Sequence, residues 1–262
     1  IHSLDGPNGP VTEVDEMLKV ASDFYKDLFK KENPSGFSLQ NNFFSAFEKV
    51  SPAENELLEA PFSETEVKEA IFSSYPDGAP GPNGIPFLFY QHFWDLVKND
   101  LLDLFQAFHR GELDIYRLNF AMLSLIPKEP EATSMKKFRP ISLINCSFKI
   151  FSKVLTTRLS KVLQRLIASN QSAFLKERYI LESVVTAHEV LHLVHSGGDK
   201  GLFLKLDYEK SFDKVDLDFL MKLLELRGFG GKWTSWIQQL THEGSVGVKL
   251  SNCESDFFLA GK

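Results

Sequence analysis

The sequence predicts a mixed α+β chain in which long amphipathic helices carry a few short strands. Apolar residues recur at three- and four-residue steps over several long runs, the period of a one-sided helix. Short apolar segments at 121–127, 138–143, 202–206 and 245–250 are bounded by turn residues, as strands are. No run of about 18 uninterrupted apolar residues occurs, so the sequence predicts no membrane-spanning helix.

Bulk properties bound the reading. The 262 residues, 43% hydrophobic with 24 Phe, suffice for one large domain or two small ones. Cys146 and Cys253 stand far apart with no metal-ligand spacing, which suits a reducing intracellular compartment, nuclear or cytoplasmic. The opening IHSLDGPNGP carries no signal-peptide core. A net charge of −6 and a pI near 5.7 argue against a polyanionic partner, but the distribution argues for one. Residues 1–104 hold seven Lys and Arg against 18 Asp and Glu, whereas residues 128–178 hold eleven against three. A basic block inside an acidic chain is a partner signal.

In chain order, Val14, Met17, Leu18, Ala21, Phe24, Tyr25, Leu28 and Phe29 predict a helix ended near Asn33-Pro34-Ser35-Gly36. Ser63 and Glu66 have capping-box spacing ahead of Val67, Ala70 and Ile71. PDGAPGPNGIP (76–86) packs four prolines and three glycines into eleven positions, too many for a helix or central strand. It reads as a rigid loop packed on the Phe-rich helix that follows, Phe87–Phe108, which Gly111 ends. Ala121–Pro127 and Phe138–Leu143 read as strands joined by the charged connection Lys128–Lys137, with Pro140 suited to an edge. That hairpin would project Lys128, Lys136, Lys137 and Arg139. A helix over Phe148–Ile167 buries Ile150, Phe151, Val154, Leu155, Leu159, Val162, Leu163 and Leu166. Lys149, Lys153, Lys161 and Arg165 share another face at multiples of four, with Arg158 beside them; this is a solvated face or a polyanion contact. Further helices are predicted at Ser183–His195, Phe219–Leu226 and Trp233–Leu240. A closing β-hairpin spans Ser245–Leu250 and Asp256–Ala260.

Gly201–Val215, GLFLKLDYEKSFDKV, concentrates the candidate chemistry. Alternating Leu202, Leu204 and Leu206 predict a short buried strand ending on Asp207. A carboxylate there can cap a turn, or sit at the sheet rim where open α/β sheets place ligands. His188-Glu189-Val190-Leu191-His192 matches the zinc-protease H-E-x-x-H, but no third ligand is suitably placed, so the match reads as accidental. No Ser elbow, P-loop or Cys–His pair supports nucleophilic catalysis. A strand-end carboxylate preceded by a basic hairpin and a basic helix suits phosphoryl transfer on a polyanionic template. Carboxylates would hold Mg²⁺ and cations would neutralise a triphosphate.

The segments DGAPGPNGIP, FWDLVKNDLLDLFQAFHRG, LIPK, FRPISLINCSFKIFSKVLTTRL, QSAFLKERYILES and LKLDYEKSFDKV occur in one order. Together, from about residue 11 onward, they resemble the reverse transcriptases of LINE-type (non-LTR) retrotransposons, most of all those of plant genomes. The resemblance implies a right-hand polymerase: an N-terminal helical extension (1–60), fingers (61–200) and the first part of a palm (201–262). It implies RNA-directed DNA synthesis on an RNA template with a DNA primer, deoxynucleoside triphosphates and Mg²⁺. Asp207 resembles the first metal-binding aspartate, with the Tyr208 carbonyl as a second ligand. Phe212 stands where the family has an aromatic gate against the ribose 2′-hydroxyl; Lys128 and Arg139 match fingers cations that meet the triphosphate. Read without the resemblance, Phe212 is a core aromatic and Arg139 part of a surface ion pair. Lys136, Lys137, Lys149, Lys153, Lys161 and Arg165 would then face nucleic acid.

Departures are Gly78 and Asn83 where Lys and Asp are usual, Glu177 where Gly precedes the Arg, and Leu217 in place of Trp. Glu177 is expected to disturb a tight turn. The family's Gln-Gly-Asp-Pro and aromatic-Ala-Asp-Asp segments do not occur before Lys262, so the expectation is a truncated, inactive polymerase fragment. A non-catalytic nucleic-acid-binding module and a decayed retroelement product are the alternatives.

Overall fold

The computed structural model describes residues 1–30, 39–40, 43–208, 215–241 and 244–260. Helix α1 (Val14–Leu28) buries Met17, Leu18, Ala21 and Tyr25, the stripe that its periodicity marks. It is preceded by a hairpin of β1 (Leu4–Gly6) and β2 (Gly9–Val11), with Leu4 opposite Val11 and fully buried. The polar composition of the first ten residues conceals that hairpin, although Pro7-Asn8-Gly9 is a turn sequence. Helices α2 (Pro52–Leu58) and α3 (Glu64–Phe72) each begin with a capping box, Ser51 with Glu54 and Ser63 with Glu66.

The helix expected over Phe87–Phe108 is two pieces, α4 (Phe87–His92) and α5 (Trp94–Arg110). Phe93 alone leaves helical geometry at ψ 24, although its N–H still donates to the Phe89 carbonyl at 2.9 Å. Both pieces bury one stripe, Phe87 and Tyr90 continuing into Trp94, Leu101, Phe105 and Phe108, so burial does not disclose the break. Gly111 ends α5 in the left-handed conformation at φ 76, which glycine adopts without a Cβ clash.

Strands β3 (Phe120–Pro127) and β4 (Phe138–Ile144) form the expected antiparallel hairpin, with Pro140 opposite Leu125 on the edge strand. After α6 (Cys146–Leu166), α7 (Ile180–Ser196), α8 (Leu217–Leu226) and α9 (Gly231–Thr241), the chain returns as β5 (Gly244–Leu250), parallel to β3. The short β6 (Cys253–Glu254) and β7 (Phe258–Ala260) fold back antiparallel on β5. The result is a small sheet in the order β4-β3-β5, antiparallel apart from the β3–β5 pair.

Two apolar clusters hold these elements. One packs α1 on the sheet through Leu123, Leu125, Val246, Val248 and Leu250. The other joins α2 to α6 with α9, and its centre is aromatic: the Phe105 and Phe151 rings stack at 3.9 Å beside Phe108, Trp233 and Trp236. Each such ring contributes about 1.5–3 kcal/mol by leaving water.

Residues 201–206 correct the sequence reading. They form no strand, and Leu202 is 92% exposed. Alternation makes a strand only where an edge offers hydrogen bonds. β3 has both edges filled, by β4 and β5, and the other edge of β5 is taken by β6 and β7, which leaves the outer edge of β4, where Pro140 has no N–H to donate. Helix α7 forms as expected but buries none of its residues.

Candidate nucleotide and nucleic-acid interface

The basic hairpin is real, and its pleat sorts the cations. Leu123 and Leu125 face α1, so Ile126 and its cross-strand partner Arg139 lie on the opposite face of the sheet. Lys128, two residues beyond Ile126, continues that face, which Ile126 and Ile141 leave open to solvent. Arg139 is exposed and makes no ion pair among the described residues. The Lys128 ammonium donates to the Lys136 carbonyl at 2.9 Å, which leaves its charge unneutralised. Lys137 is different: its ammonium pairs with Glu129 at 2.6 Å, and that hydrogen bond raises its pKa. Lys136 stays exposed on the turn between the strands.

The Pro-Gly loop packs where β4 turns into α6. A Cβ on Gly81 would lie 2.5 Å from the Ile144 carbonyl carbon and 2.6 Å from Asn145 Cα, so only glycine fits. The buried Asn145 side chain accepts a hydrogen bond from Asn83 N–H at 3.1 Å, and the Lys149 ammonium donates to the Ala79 carbonyl at 3.4 Å. Two motif segments separated by some sixty residues are thus one unit beside the hairpin.

The cations of α6 divide into two kinds. Lys161 is exposed, whereas Lys149 and Lys153 are partly buried; the Lys153 ammonium donates to Ser74 Oγ at 2.8 Å, and burial lowers its pKa. Arg165 is engaged by Glu54 at 2.6 Å and by the carbonyls of Phe47 and Lys49. That pairing, with the Ser51 cap, draws the Glu54 carboxyl down to about 2. Arg158, placed on the solvated face by its sequence neighbours, is instead 5% exposed. Its guanidinium grips both oxygens of Glu66 at 2.8 and 2.9 Å. It also donates to the carbonyls of Leu58, Ala60 and Pro61, and lies 4.2 Å from the Phe62 ring centre. Arg158 stands four residues from both Val154 and Val162, so the helical period already placed it on the apolar stripe.

Asp207 and Tyr208 lie in the irregular, exposed stretch 201–208, and Phe212 lies outside the described residues. Among the described residues no three His, Cys, Asp or Glu side chains form a metal-holding group, so those present do not by themselves fit a Mg²⁺ centre. His188 and His192 of the H-E-x-x-H match belong to no such group either. What the described residues assemble is an exposed cationic surface able to take phosphate oxygens.

The tight turn that Glu177 was expected to disturb forms at 174–178. Phe174 and Glu177 both adopt left-handed φ, 63° and 64°. Arg178 fastens the turn to the end of α6 through the carbonyls of Gln164, Ile167, Ala168 and Gln171. The family departure at 177, Glu in place of Gly, was the available signal.

Comparison with known proteins now adds the family. Residues 126–259, just over half of the chain, match the family model described as reverse transcriptase (RNA-dependent DNA polymerase). The chain is also 30% identical over 243 residues to the transposon TX1 uncharacterized 149 kDa protein of Xenopus laevis. That alignment takes in 92% of this chain and 18% of the relative, so the chain spans under a fifth of that protein's length. With a match that contains β4, α6 and Asp207 and begins at Ile126, the chain belongs to the reverse transcriptase (RNA-dependent DNA polymerase) family.

Proposed function

We propose that this chain is the fingers and first palm segment of a LINE-type, plant-like retrotransposon polymerase whose reaction is RNA-templated DNA synthesis. The observation that supports this reading is Arg139 opposite Ile126 on an open sheet face, with Lys128 two residues beyond Ile126, within the family-matched region. Arg139 offers a planar fork to phosphate oxygens and Lys128 a point charge, the chemistry an incoming deoxynucleoside triphosphate requires. Lys136, Lys149, Lys153 and Lys161 extend the positive surface toward template and primer backbone, while Arg165 holds the segment around Glu54 in place. Asp207 would supply one carboxylate, and Tyr208 a carbonyl, to the Mg²⁺ that the family implies. Among the described residues Asp207 belongs to no group of three metal-ligating side chains. Phe212 is assigned the gate against ribose on the strength of its motif position.

A salt titration of affinity for an RNA–DNA primer–template tests the reading. We expect binding that weakens steeply with salt, and a triple Lys136→Ala, Lys149→Ala, Lys161→Ala variant whose log–log slope is shallower by roughly 2–3, close to one per lost phosphate contact. Asp207→Asn should bind as tightly as the parent chain. No primer–template binding at low salt would overturn the proposal.

A further inference from the structure

The outer face of α4 and α5, opposite their buried stripe, carries an apolar seam open to solvent. Phe89, Phe93 and Leu96 follow one another at steps of four and three, and all three are exposed. The break at Phe93 does not interrupt the seam. The Phe93 N–H donates to the Phe89 carbonyl at 2.9 Å, and the Leu96 and Val97 N–H groups donate to the Phe93 carbonyl at 3.0 Å. The Phe89 and Phe93 ring centres lie 5.1 Å apart, and Leu96 is 76% exposed. Exposed Leu88 and Tyr75 widen the patch on one side, since the Leu88 N–H donates to the carbonyl of Pro76 at 3.1 Å. The platform is firm: the Gln91 amide donates to the carbonyls of Ile71 and Ser74, each at 3.0 Å, which ties α4 to α3.

Isolated exposed apolar side chains are ordinary, but contiguous ones along a helix face mark an interaction surface. Steps of four and three are those of a packing seam between two helices. The next two positions of the same seam are Asp100 and Asp103, both exposed. Lys98 lies on another face and pairs with Asp95 at 3.5 Å, and Arg110, further on, is held by Glu112 at 2.8 Å. Over residues 61–114 nine Asp and Glu stand against three Lys and Arg, so the surroundings reinforce the negative end. An apolar seam that runs into two carboxylates repels nucleic acid and anionic lipid alike. It suits a second helix with apolar residues opposite the rings and Lys or Arg opposite the aspartates. A second copy of this chain is a poorer fit. Helix α6 carries five cations but buries its apolar stripe, and α7, whose apolar residues are exposed, contains no Lys or Arg.

We propose that the α4–α5 seam docks a basic amphipathic helix of a partner protein, with its apolar residues on Phe89, Phe93 and Leu96 and its cations on Asp100 and Asp103. The assignment neither uses nor requires the polymerase reading, because this face selects against nucleic acid.

The test is fluorescence anisotropy of labelled helical peptides titrated with the whole chain. One peptide places three seam leucines beside two seam lysines and is made in both chain directions. A second has Glu for each Lys, and a third shuffles the order. In one direction the lysine peptide should bind at least about tenfold more tightly than the glutamate and shuffled peptides. Leu96→Ala removes a side chain that already stands in solvent, so the fold is not threatened, and circular dichroism checks that. It should weaken the lysine peptide about tenfold, the effect of losing one interface anchor. The double Asp100→Lys, Asp103→Lys variant should invert the preference, so that the glutamate peptide binds more tightly than the lysine peptide. Equal binding of the lysine and shuffled peptides, or indifference to both Leu96→Ala and the charge reversal, overturns the proposal. Self-association in analytical ultracentrifugation that Leu96→Ala abolishes would assign the seam to a second copy and overturn the partner assignment. Binding to phosphatidylserine vesicles that the same variant loses would overturn it as well. Primer–template affinity enters none of these measurements, so failure here leaves the polymerase reading intact.

Discussion

Replacing Arg158 with Met probes the contact on which the helical half of the molecule depends. Met fills similar volume but removes the guanidinium, which leaves the Leu58, Ala60 and Pro61 carbonyls without the donor that reached them at 2.9, 2.6 and 3.0 Å. It also strands Glu66, whose side chain is 30% exposed, facing an apolar site. Removing one partner of a buried ion pair costs about 3–5 kcal/mol, and solvent on the Glu66 side puts the expected loss at the lower end, about 3 kcal/mol. With an m-value of about 3 kcal/mol/M, the urea midpoint should fall by roughly 1 M.

The same pair has a pH signature. Burial pushes the Glu66 carboxyl up, but the Arg158 hydrogen bonds and the Ser63 cap outweigh that, and its pKa falls from 4.5 to about 2. A depressed folded-state pKa contributes stability that is present above 4.5 and is lost as pH falls toward 2. Allowing for solvent screening of a partly exposed carboxylate, that component is roughly 1–2 kcal/mol. Glu54 titrates in the same window, so the quantity to measure is the difference between parent and Arg158→Met stability at pH 5 and at pH 2.5. The two curves should converge on acidification. Curves that stay parallel, or a midpoint shift under about 0.3 M, would refute the assignment of Arg158 as a stabilising hub. Adding Glu66→Gln completes a double-mutant cycle, in which contacting partners should couple by more than about 1 kcal/mol.

Three shorter predictions concern the backbone and the clamp. Glu177→Gly should raise stability by about 0.5–1 kcal/mol, because φ 64° suits glycine; a lower melting temperature would show that the turn tolerates glutamate without strain. Gly81→Ala should cost about 2–3 kcal/mol, since the new methyl meets backbone of Ile144 and Asn145 that cannot rotate away, and denaturant unfolding would read the loss. Arg165→Ala should cost no more than about 1 kcal/mol, given the exposure of its pair with Glu54, and should leave the salt slope of RNA binding unchanged; a shallower slope would return Arg165 to the nucleic-acid surface.

What could be read in the sequence follows from the range of the forces involved. Local patterns were legible: the Ser63–Glu66 capping box, the apolar stripe of α1, the Gly111 stop and the edge position of Pro140 each depend on residues within a turn or on one neighbouring strand. The charged connection between two strand-like segments likewise marked the hairpin that carries Lys128 and Arg139. Two kinds of information were not local. Whether 202–206 becomes a strand depends on a free sheet edge, and β5, some forty residues further on, occupies the only remaining edge of β3. Alternation alone could not report that.

Charge misled in the opposite direction from hydrophobicity. Five cations along α6 look equivalent as letters, yet their fate depends on which acceptors the tertiary fold brings within reach. Arg158 and Arg165 meet carboxylates about a hundred residues earlier in the chain, at Glu66 and Glu54, each already fixed by its own serine cap. A capped glutamate has its carboxylate held at a helix N-terminus, so an arginine that reaches it meets an acceptor whose conformational entropy is already spent. The two arginines, with fork geometry, take those structural places. The lysines, which offer a point charge and lose more on being pinned, reach no carboxylate among the described residues, and Lys161 stays exposed. The division of α6 into arginines that hold carboxylates and lysines that meet none among the described residues is therefore a consequence of side-chain chemistry.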